Sequence, residues 1–410
     1  MSLKQIENIF SQKLNDLKTK GTLKGEEKVI TGIIAAKDGF GPRYLLAGQG
    51  ENEFLRMNSN SYLGLSLNND VIQAEEEACR KFGTGPGAVR FISGTYKPHV
   101  ELEKRLAHFH GRETAMVFSS AYSTVIGMLP QFITEETLVV SDELNHNCII
   151  NAIRLSKPAK KAIYRHLDIK DLERILKENT GQAKRVVVVT DGIFSMRGDC
   201  APLDKIVAIC RKYESVYEEG ILTVVDDSHG VGAFGKTGRG VEEYTNTKAD
   251  ILVATLGKAL GINGGYVVSG KAVINYLRET APFYIYSNPI TPPEAAAALK
   301  SLEILDSPEG IKLLERLKKL IANLREGLNQ LGYETLPGEH PIVPLMVRDT
   351  KKTFQIVKYL FDNGILVTGL NYPVVPKGDE EIRFQVSASH TEKDIDYLID
   401  VLKRFKVTAL

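Results

Sequence analysis

Four apolar runs in this chain end in residues that can do chemistry. ILTVV (221–225) is followed by Asp226, Asp227 and His229. TLVV (137–140) leads to Asp142 and His146, and RVVVV (185–189) to Asp191 and Ser195. The stretch ILVATLGKALG (251–261) places Thr255 and Lys258 after a fourth run. In parallel α/β sheets ligands lie beyond the C-terminal ends of the strands, so four such ends point to one shared site. Any one of these residues alone would pass for a cap, a turn or a surface charge; only the joint pattern indicates a site.

A lysine framed by small residues at the end of an apolar strand is easily desolvated, loses its proton readily and forms Schiff bases. A carboxylate rising from another central strand can pair with a pyridinium nitrogen. Those are the two protein groups that pyridoxal 5′-phosphate (PLP) requires most. Two histidines nearby could stack on its ring or hydrogen-bond to it.

The stretch TVVDDSHGVGAFGKTGRG (223–240) also satisfies two nucleotide-binding patterns. Gly230, Gly232 and Gly235 fit G-x-G-x-x-G, and Gly230, Gly235, Lys236 and Thr237 fit the P-loop. Both fail on context. Asp226 to His229 separate the strand end from the first glycine, and Gly238-Arg239-Gly240 breaks any helix after Thr237. No strand ends in an acid about 20 positions on, as a dinucleotide site requires. The glycines are expected to shape a loop that holds backbone close to a site. A nucleotide-binding protein using GVGAFGKT is the alternative from a different functional class.

The elements that must position these residues are legible in the patterning. Strands are expected at AMVF (115–118), TLVVSD (137–142), RVVVVT (185–190), ILTVVD (221–226), DILVAT (250–255) and YVVS (266–269). Several are continuous Val/Ile/Leu runs, as in a parallel sheet covered on both faces. Helical periodicity lies between them at 99–110, 168–178 and 201–213, with Pro202 suited to a first helical turn. Alternating strand and helix implies an α/β fold. Past residue 293 two long helical stretches (294–306 and 310–332) precede the shorter strands PIVPLMV (341–347), GILVTG (364–369) and IRFQVS (382–387). The division expected is an N-terminal segment, 1–55, packing with the small domain; a large domain, 56–293; and a small α+β domain, 294–410. The N-terminal stretch repeats Leu3, Ile6, Phe10, Leu14 and Leu17 at helical spacing.

Composition narrows the class. Lysine plus arginine total 52 against 51 acids, so bulk charge gives no hold on nucleic acid or an anionic membrane. No apolar run is long enough to cross a bilayer, and the N-terminus lacks the unbroken apolar core of a signal peptide. A cytoplasmic location is the default expectation. The four cysteines, Cys79, Cys148, Cys200 and Cys210, show no metal or redox spacing and are expected to be mostly buried and inert.

With these residues in view, the chain resembles the α-oxoamine synthases, fold-type I PLP enzymes that condense an amino acid with an acyl-CoA. The resemblance runs from NSNSYLGLS (58–66) to IRFQVSASHT (382–391), through GTGPGAVRFISGT, SDELNHN, TDGIFSMRGD, VDDSHGVGAFGKTGRG and TLGKALG. It implies the aspartate aminotransferase-like fold: a large domain with a mainly parallel sheet plus a smaller α+β domain. It implies that Lys258 forms the Schiff base with PLP and later moves protons at the substrate α-carbon. It further implies that Asp226 pairs with the ring nitrogen, His229 hydrogen-bonds the ring's phenolic oxygen, and His146 stacks on the ring face. Ser195 would lie near the ring oxygen. Ser120, Ala121, Tyr122 and Thr255 would bind the phosphate, joined by Ser287 from a second subunit, so a homodimer is implied. Arg383 would grip the substrate carboxylate and Asn60 would lie near the substrate amino acid. Asp227 is expected to point away and bind backbone. His99 is expected to cap a helix or lie at the surface, His390 to pack, and His108, His110, His166 and His340 to be surface residues.

Among the family's reactions, VRFISGT, DDSH and TLGKALG lean toward glycine C-acetyltransferase, which uses glycine and acetyl-CoA. SMRGDCAPL and HGVG lean toward 8-amino-7-oxononanoate synthase, which uses alanine and pimeloyl-CoA. The first is the leading expectation; the second, or a serine palmitoyltransferase-like reaction, is the alternative. Arg197 departs from the acid usual at its position.

Overall fold

The computed structural model describes residues 3–20, 23, 26–372 and 374–408. Seven strands form the central sheet: β1 (Thr114–Phe118), β2 (Thr137–Asp142), β3 (Lys160–Tyr164), β4 (Arg185–Asp191), β5 (Ile221–Asp226), β6 (Ile251–Thr255) and β7 (Gly265–Ser269). Their order is β1-β7-β6-β5-β4-β2-β3. β2 to β6 pair in parallel, whereas β7 runs antiparallel to both of its neighbours. The valine run explains the position of β4: Val186 to Val189 are at most 1% exposed, as a strand covered on both faces must be. The edge strand β3 escapes the patterning because Lys160, Lys161 and Ile163 are exposed, leaving no buried run to read.

Register puts the chemistry at one end of the sheet. Asp191 and Asp226 end adjacent parallel strands and are direct partners, and Asp226 faces Val253 of β6, two residues before Thr255. Asp227, the next residue, turns to the other side. It donates its N–H to the Val253 carbonyl at 2.8 Å, and its Oδ2 accepts the Val241 N–H at 2.7 Å.

A second, four-stranded antiparallel sheet comprises β8 (Glu334–Thr335), β9 (Ile342–Met346), β10 (Thr368–Leu370) and β11 (Glu381–Gln385), in the order β8-β9-β11-β10. The run expected as one strand at 364–369 is divided. Ile365–Leu366 pairs in parallel with Leu55–Arg56, and the chain passes through Val367 into β10. Helices Pro308–Gln330, Thr350–Asp362 and Glu392–Thr408 accompany this sheet. The largest apolar cluster is continuous across both layers, from Leu252 and Tyr266 through Ala298 and Leu305 to Leu317 and Phe384. That shared core fixes β11 relative to the ends of β4 and β5.

Helix Leu3–Thr19 forms as its periodicity predicts, but it buries no residue in the single chain. The segment after it is tied down elsewhere: Asp394 accepts from the Gly41 N–H at 3.0 Å and from Arg43 Nη2 at 2.7 Å. Among the described residues no helix is long and apolar enough to cross a membrane.

Candidate active site

One cavity at the C-terminal ends of β2, β4, β5 and β6 brings together His146, Asp191, Ser195, Asp226, His229 and Lys258, with Ala121 and Tyr122 on its wall. Lys258 follows β6 by three residues. Burial holds its amine down to about 8, against the pull of the Asp226 and Asp191 carboxylates. An amine with that value is a base as well as a nucleophile near neutral pH.

Asp226 is held firmly on one oxygen and only by a long thiol contact on the other. Its Oδ1 accepts the Ser228 hydroxyl at 2.5 Å and the Ser228 N–H at 3.1 Å. Its Oδ2 has the Cys148 thiol at 3.7 Å. Asp191 beside it is pushed well above the carboxylate range, first by burial and then by the Asp226 charge, and its Oδ2 accepts the His146 N–H at 2.9 Å. The two neighbouring carboxyls therefore differ in duty. Asp191 positions the His146 turn, and Asp226 presents charge to the cavity.

His146 caps helix Asn147–Leu155. Its Nδ1 accepts the Cys148 N–H at 3.3 Å and lies 3.0 Å from the Cys148 sulfur, so Nε2 is the nitrogen left to carry the proton. Burial lowers this imidazole below its usual range, and the Lys258 charge lowers it further, against Asp226. His229 is pushed well below its usual range by burial and by Lys258, and its Nδ1 lies 2.8 Å from the Tyr62 hydroxyl.

Ser120 caps helix Ala121–Met128, its Oγ accepting the Ser123 N–H at 3.0 Å. That leaves the N–H groups at the head of the helix aimed at an anion. Gly265 of β7 allows this approach, because a Cβ there would lie 2.2 Å from the Ala121 nitrogen. Tyr122 donates to Asn147 Oδ1 at 2.8 Å. Thr255 Oγ1 donates to the Gly264 carbonyl at 3.1 Å and accepts the Gly257 N–H at 3.0 Å.

Five expected site residues lie outside the cavity lining: Ser120 and Thr255, described above, and Arg383, Asn60 and Ser287. Arg383 of β11 donates through Nη1 to the Ser195 carbonyl at 2.7 Å, and its buried Nε has no partner. Asn60 Oδ1 accepts from Gln385 Nε2 and from the Tyr62 hydroxyl at 3.2 Å. Ser287 is half-buried in the segment after helix Pro282–Ile285.

The glycines of 230–240 serve a buried acid. Added Cβ atoms at Gly230 and Gly240 would lie 2.1 and 1.8 Å from the oxygens of the Asp227 carboxylate. The Lys236-Thr237 segment meets an acid of its own chain where a P-loop would meet phosphate. Glu243 accepts the Thr237 N–H at 3.0 Å, its hydroxyl at 2.8 Å and the Arg239 N–H at 3.2 Å. An anion already fills that cradle, which removes the structural basis for a nucleotide there.

Several expectations are corrected. Cys148 lines the cavity between His146 and Asp226, although burial and the neighbouring carboxylates keep its thiol protonated. Ser228 and Tyr62 hold the two site residues Asp226 and His229, and neither carried a signal beyond its neighbours DDSH and NSNSYLG. His110 and His340, expected at the surface, are buried and pushed down to about 3 by that burial. Two other histidines meet their expectations: His99 caps its helix, its Nδ1 accepting the Tyr96 N–H at 3.1 Å, although it is buried rather than at the surface, and His390 packs, buried with its Nδ1 accepting the Ser387 N–H at 3.1 Å.

His166 is also no surface histidine. It bridges Asp142 at 2.9 Å and Asp199 at 3.1 Å, and the two carboxylates lift it to about 9 against the opposing effect of burial. Its folded value exceeds the unfolded 6.5, so the stabilisation is complete below 6.5 and is lost as pH rises through about 9. Thermal melts across that window should show stability falling with pH, and His166→Asn should flatten the slope. An equal slope in the variant would contradict the bridge.

Residues 52–402 match the family model described as aminotransferase class I and II. The chain is 38% identical over 402 residues to 8-amino-7-oxononanoate synthase of Thermosipho melanesiensis, covering 97% of each chain. It is 38% identical over 402 residues to the mitochondrial 2-amino-3-ketobutyrate coenzyme A ligase of Bos taurus, covering 97% of this chain and 92% of that one. A serine palmitoyltransferase of S. paucimobilis, solved with PLP and myriocin bound, superposes with a TM-score of 0.86 at 26% identity over 98% of each chain. A buried lysine, a carboxylate across the same cavity and an open helix N-terminus fit an aldehyde, a pyridine nitrogen and a phosphate, and PLP carries all three. The chain therefore belongs to the aminotransferase class I and II family, as an α-oxoamine synthase of PLP fold type I whose cofactor is pyridoxal 5′-phosphate.

Proposed function

We propose that the protein condenses L-alanine with pimeloyl-CoA, the 8-amino-7-oxononanoate synthase reaction. The observation that carries this choice is the run of relatives bearing that name, of which the Thermosipho melanesiensis enzyme matches over 97% of both chains. Glycine with acetyl-CoA, the leading expectation from the motifs, is the second reading. It is supported by the Bos taurus relative, equally similar over the same length.

Bound PLP supplies an electron sink for charge developing at the amino acid's α-carbon. The chain's own residues do the rest. Lys258 Nζ holds the cofactor and then moves the α-proton, a task matched by its value of about 8. Asp226 Oδ2 keeps the ring nitrogen protonated, because a buried carboxylate favours an adjacent cation. His146 stacks on the ring and offers its Nε2 proton to the oxyanion of the attacked thioester. His229 donates to the phenolic oxygen, with Ser195 nearby. The head of helix Ala121–Met128, with Ser120, Tyr122 and Thr255, holds the phosphate. Ser287 of the partner subunit completes that cradle in a homodimer. Arg383 takes the substrate carboxylate through the orphaned edge of its guanidinium, beside Asn60.

Release of free coenzyme A thiol, measured with alanine, glycine and serine against pimeloyl-, acetyl- and palmitoyl-CoA, tests the choice. Alanine with pimeloyl-CoA should exceed every other pair by roughly tenfold or more in kcat/KM. Preference for glycine with acetyl-CoA would establish the second reading, and no thiol release from any pair would refute both.

A further inference from the structure

We infer that Gln385 is a positioning residue: its amide fixes the Asn60 side chain so that Asn60 Nδ2 faces the carboxylate of the substrate amino acid. The inference rests on the proposed place of Asn60 beside that substrate, and deepens it.

Gln385 closes β11 and is fully buried. Residues two apart on a strand share a face, so Gln385 lies on the face of Arg383 and Glu381, while Ile382 and Phe384 point into the core. That face meets the site, since Arg383 donates to the Ser195 carbonyl and Ser195 lines the cavity. The loop carrying Asn60 is laid along the same strand end. The Gln385 N–H donates to the Met57 carbonyl at 2.8 Å, the Ser387 hydroxyl to the Ser61 carbonyl at 2.7 Å, and the Ala388 N–H to the Tyr62 carbonyl at 2.7 Å. The main chain on either side of Asn60 is thereby held, and what remains free to turn is its side chain.

Two donors take the Asn60 oxygen. Gln385 Nε2 donates to Oδ1, and the Tyr62 hydroxyl donates to it at 3.2 Å. An amide oxygen has two lone pairs, so both are used. Gln385 serves Tyr62 as well. Burial lifts that phenol above its usual range, and the Arg383 charge and a hydrogen bond from Gln385 oppose the lift. Turning the Asn60 amide end for end would set its N–H groups against those of Gln385. Among the described residues Asn60 Nδ2 has no partner. A carboxylate only accepts, so the end that Gln385 leaves free is the end that suits the substrate carboxylate, beside Arg383. Without the Gln385 amide, Oδ1 keeps one bond, and the side chain can turn its oxygen toward that charge.

The test uses the full-length, PLP-loaded chain and follows its visible band as L-alanine or glycine is added, so the result does not depend on which acyl-CoA is the partner. Gln385→Met keeps the length of the side chain and removes its amide. It should raise the half-saturating concentration of the amino acid about tenfold, the effect of one hydrogen bond to a charged group. PLP should still bind, and KM for the acyl-CoA that turns over should change by less than about twofold. Asn60→Ala should raise the amino acid value at least as much. Adding Gln385→Met to the Asn60→Ala chain should then change it by less than about twofold, because a residue that acts through Asn60 has nothing left to act on. Gln385→Leu, run through the same cycle, serves if the methionine chain unfolds. Equal rises from Gln385→Met with and without Asn60 would overturn the inference. So would no rise from Gln385→Met beside a raised value in Asn60→Ala, a result that leaves the Asn60 contact standing. No rise in Asn60→Ala would remove that contact and the inference with it.

Discussion

Replacing Lys258 by alanine should abolish both the visible absorption of the PLP-loaded protein and coenzyme A release. The loss of turnover is expected to be on the order of 10⁴-fold or greater, because one amine both anchors the cofactor and moves the α-proton. Among the described residues no other lysine lines the cavity. Lys236, the nearest candidate by motif, lies on the loop capped by Glu243, so Lys236→Ala should retain colour and activity. The Lys258→Ala chain should still unfold cooperatively, since among the described residues the amine forms no hydrogen bond and its burial opposes its charge. Absorbance after PLP addition and thiol release, read on the same preparation, separate loss of the link from loss of the fold.

Asp226→Asn has a different signature. Ser228 can still hold the amide, so the side chain's position should survive. What disappears is the charge. The lysine link remains and the protein should still take on colour, but kcat should fall by roughly 10²–10³-fold because the ring nitrogen no longer keeps its proton. A second consequence can be read without turnover. Asp226 is the foremost carboxylate raising the Lys258 amine, so its removal should bring that amine below its present value of about 8. Asp191→Asn gives the contrast. That carboxyl is already pushed well above the usual range and serves the His146 N–H, so its loss should disturb the His146 turn more than the charge at the ring. Equal kcat losses from the two substitutions, with the same spectral change, would contradict the division of duty between them.

Much of this site was legible because it lies where apolar runs stop. Continuous valines mark β4, and the acid ending that run is in register with Asp226 of β5, so period and position alone bring the two together. The rejection of both nucleotide patterns was equally legible, since a helix-breaking Gly-Arg-Gly follows the Lys-Thr pair. What could not be read was the use of the glycines. Only the fold shows that Gly230 and Gly240 make room for the Asp227 carboxylate. The second row of contacts was hidden for a related reason. Tyr62 reaches His229 across 167 positions, and a tyrosine inside an unremarkable loop carries no periodicity. His110 and His340 looked like surface residues because a buried neutral histidine leaves no local trace; its partners, Tyr266 and the His229 carbonyl, are distant in sequence. The split of 364–369 between two sheets was hidden because both pieces are apolar and only pairing separates them.

The proposed reaction requires Lys258 to meet PLP in the cavity that Asp226 borders. Borohydride reduction of the PLP-loaded chain, followed by digestion and mass analysis of its peptides, tests that most directly. The phosphopyridoxyl group should be found on Lys258 and should be absent from Lys236. A label on any other lysine, with Lys258 unmodified, would contradict the account.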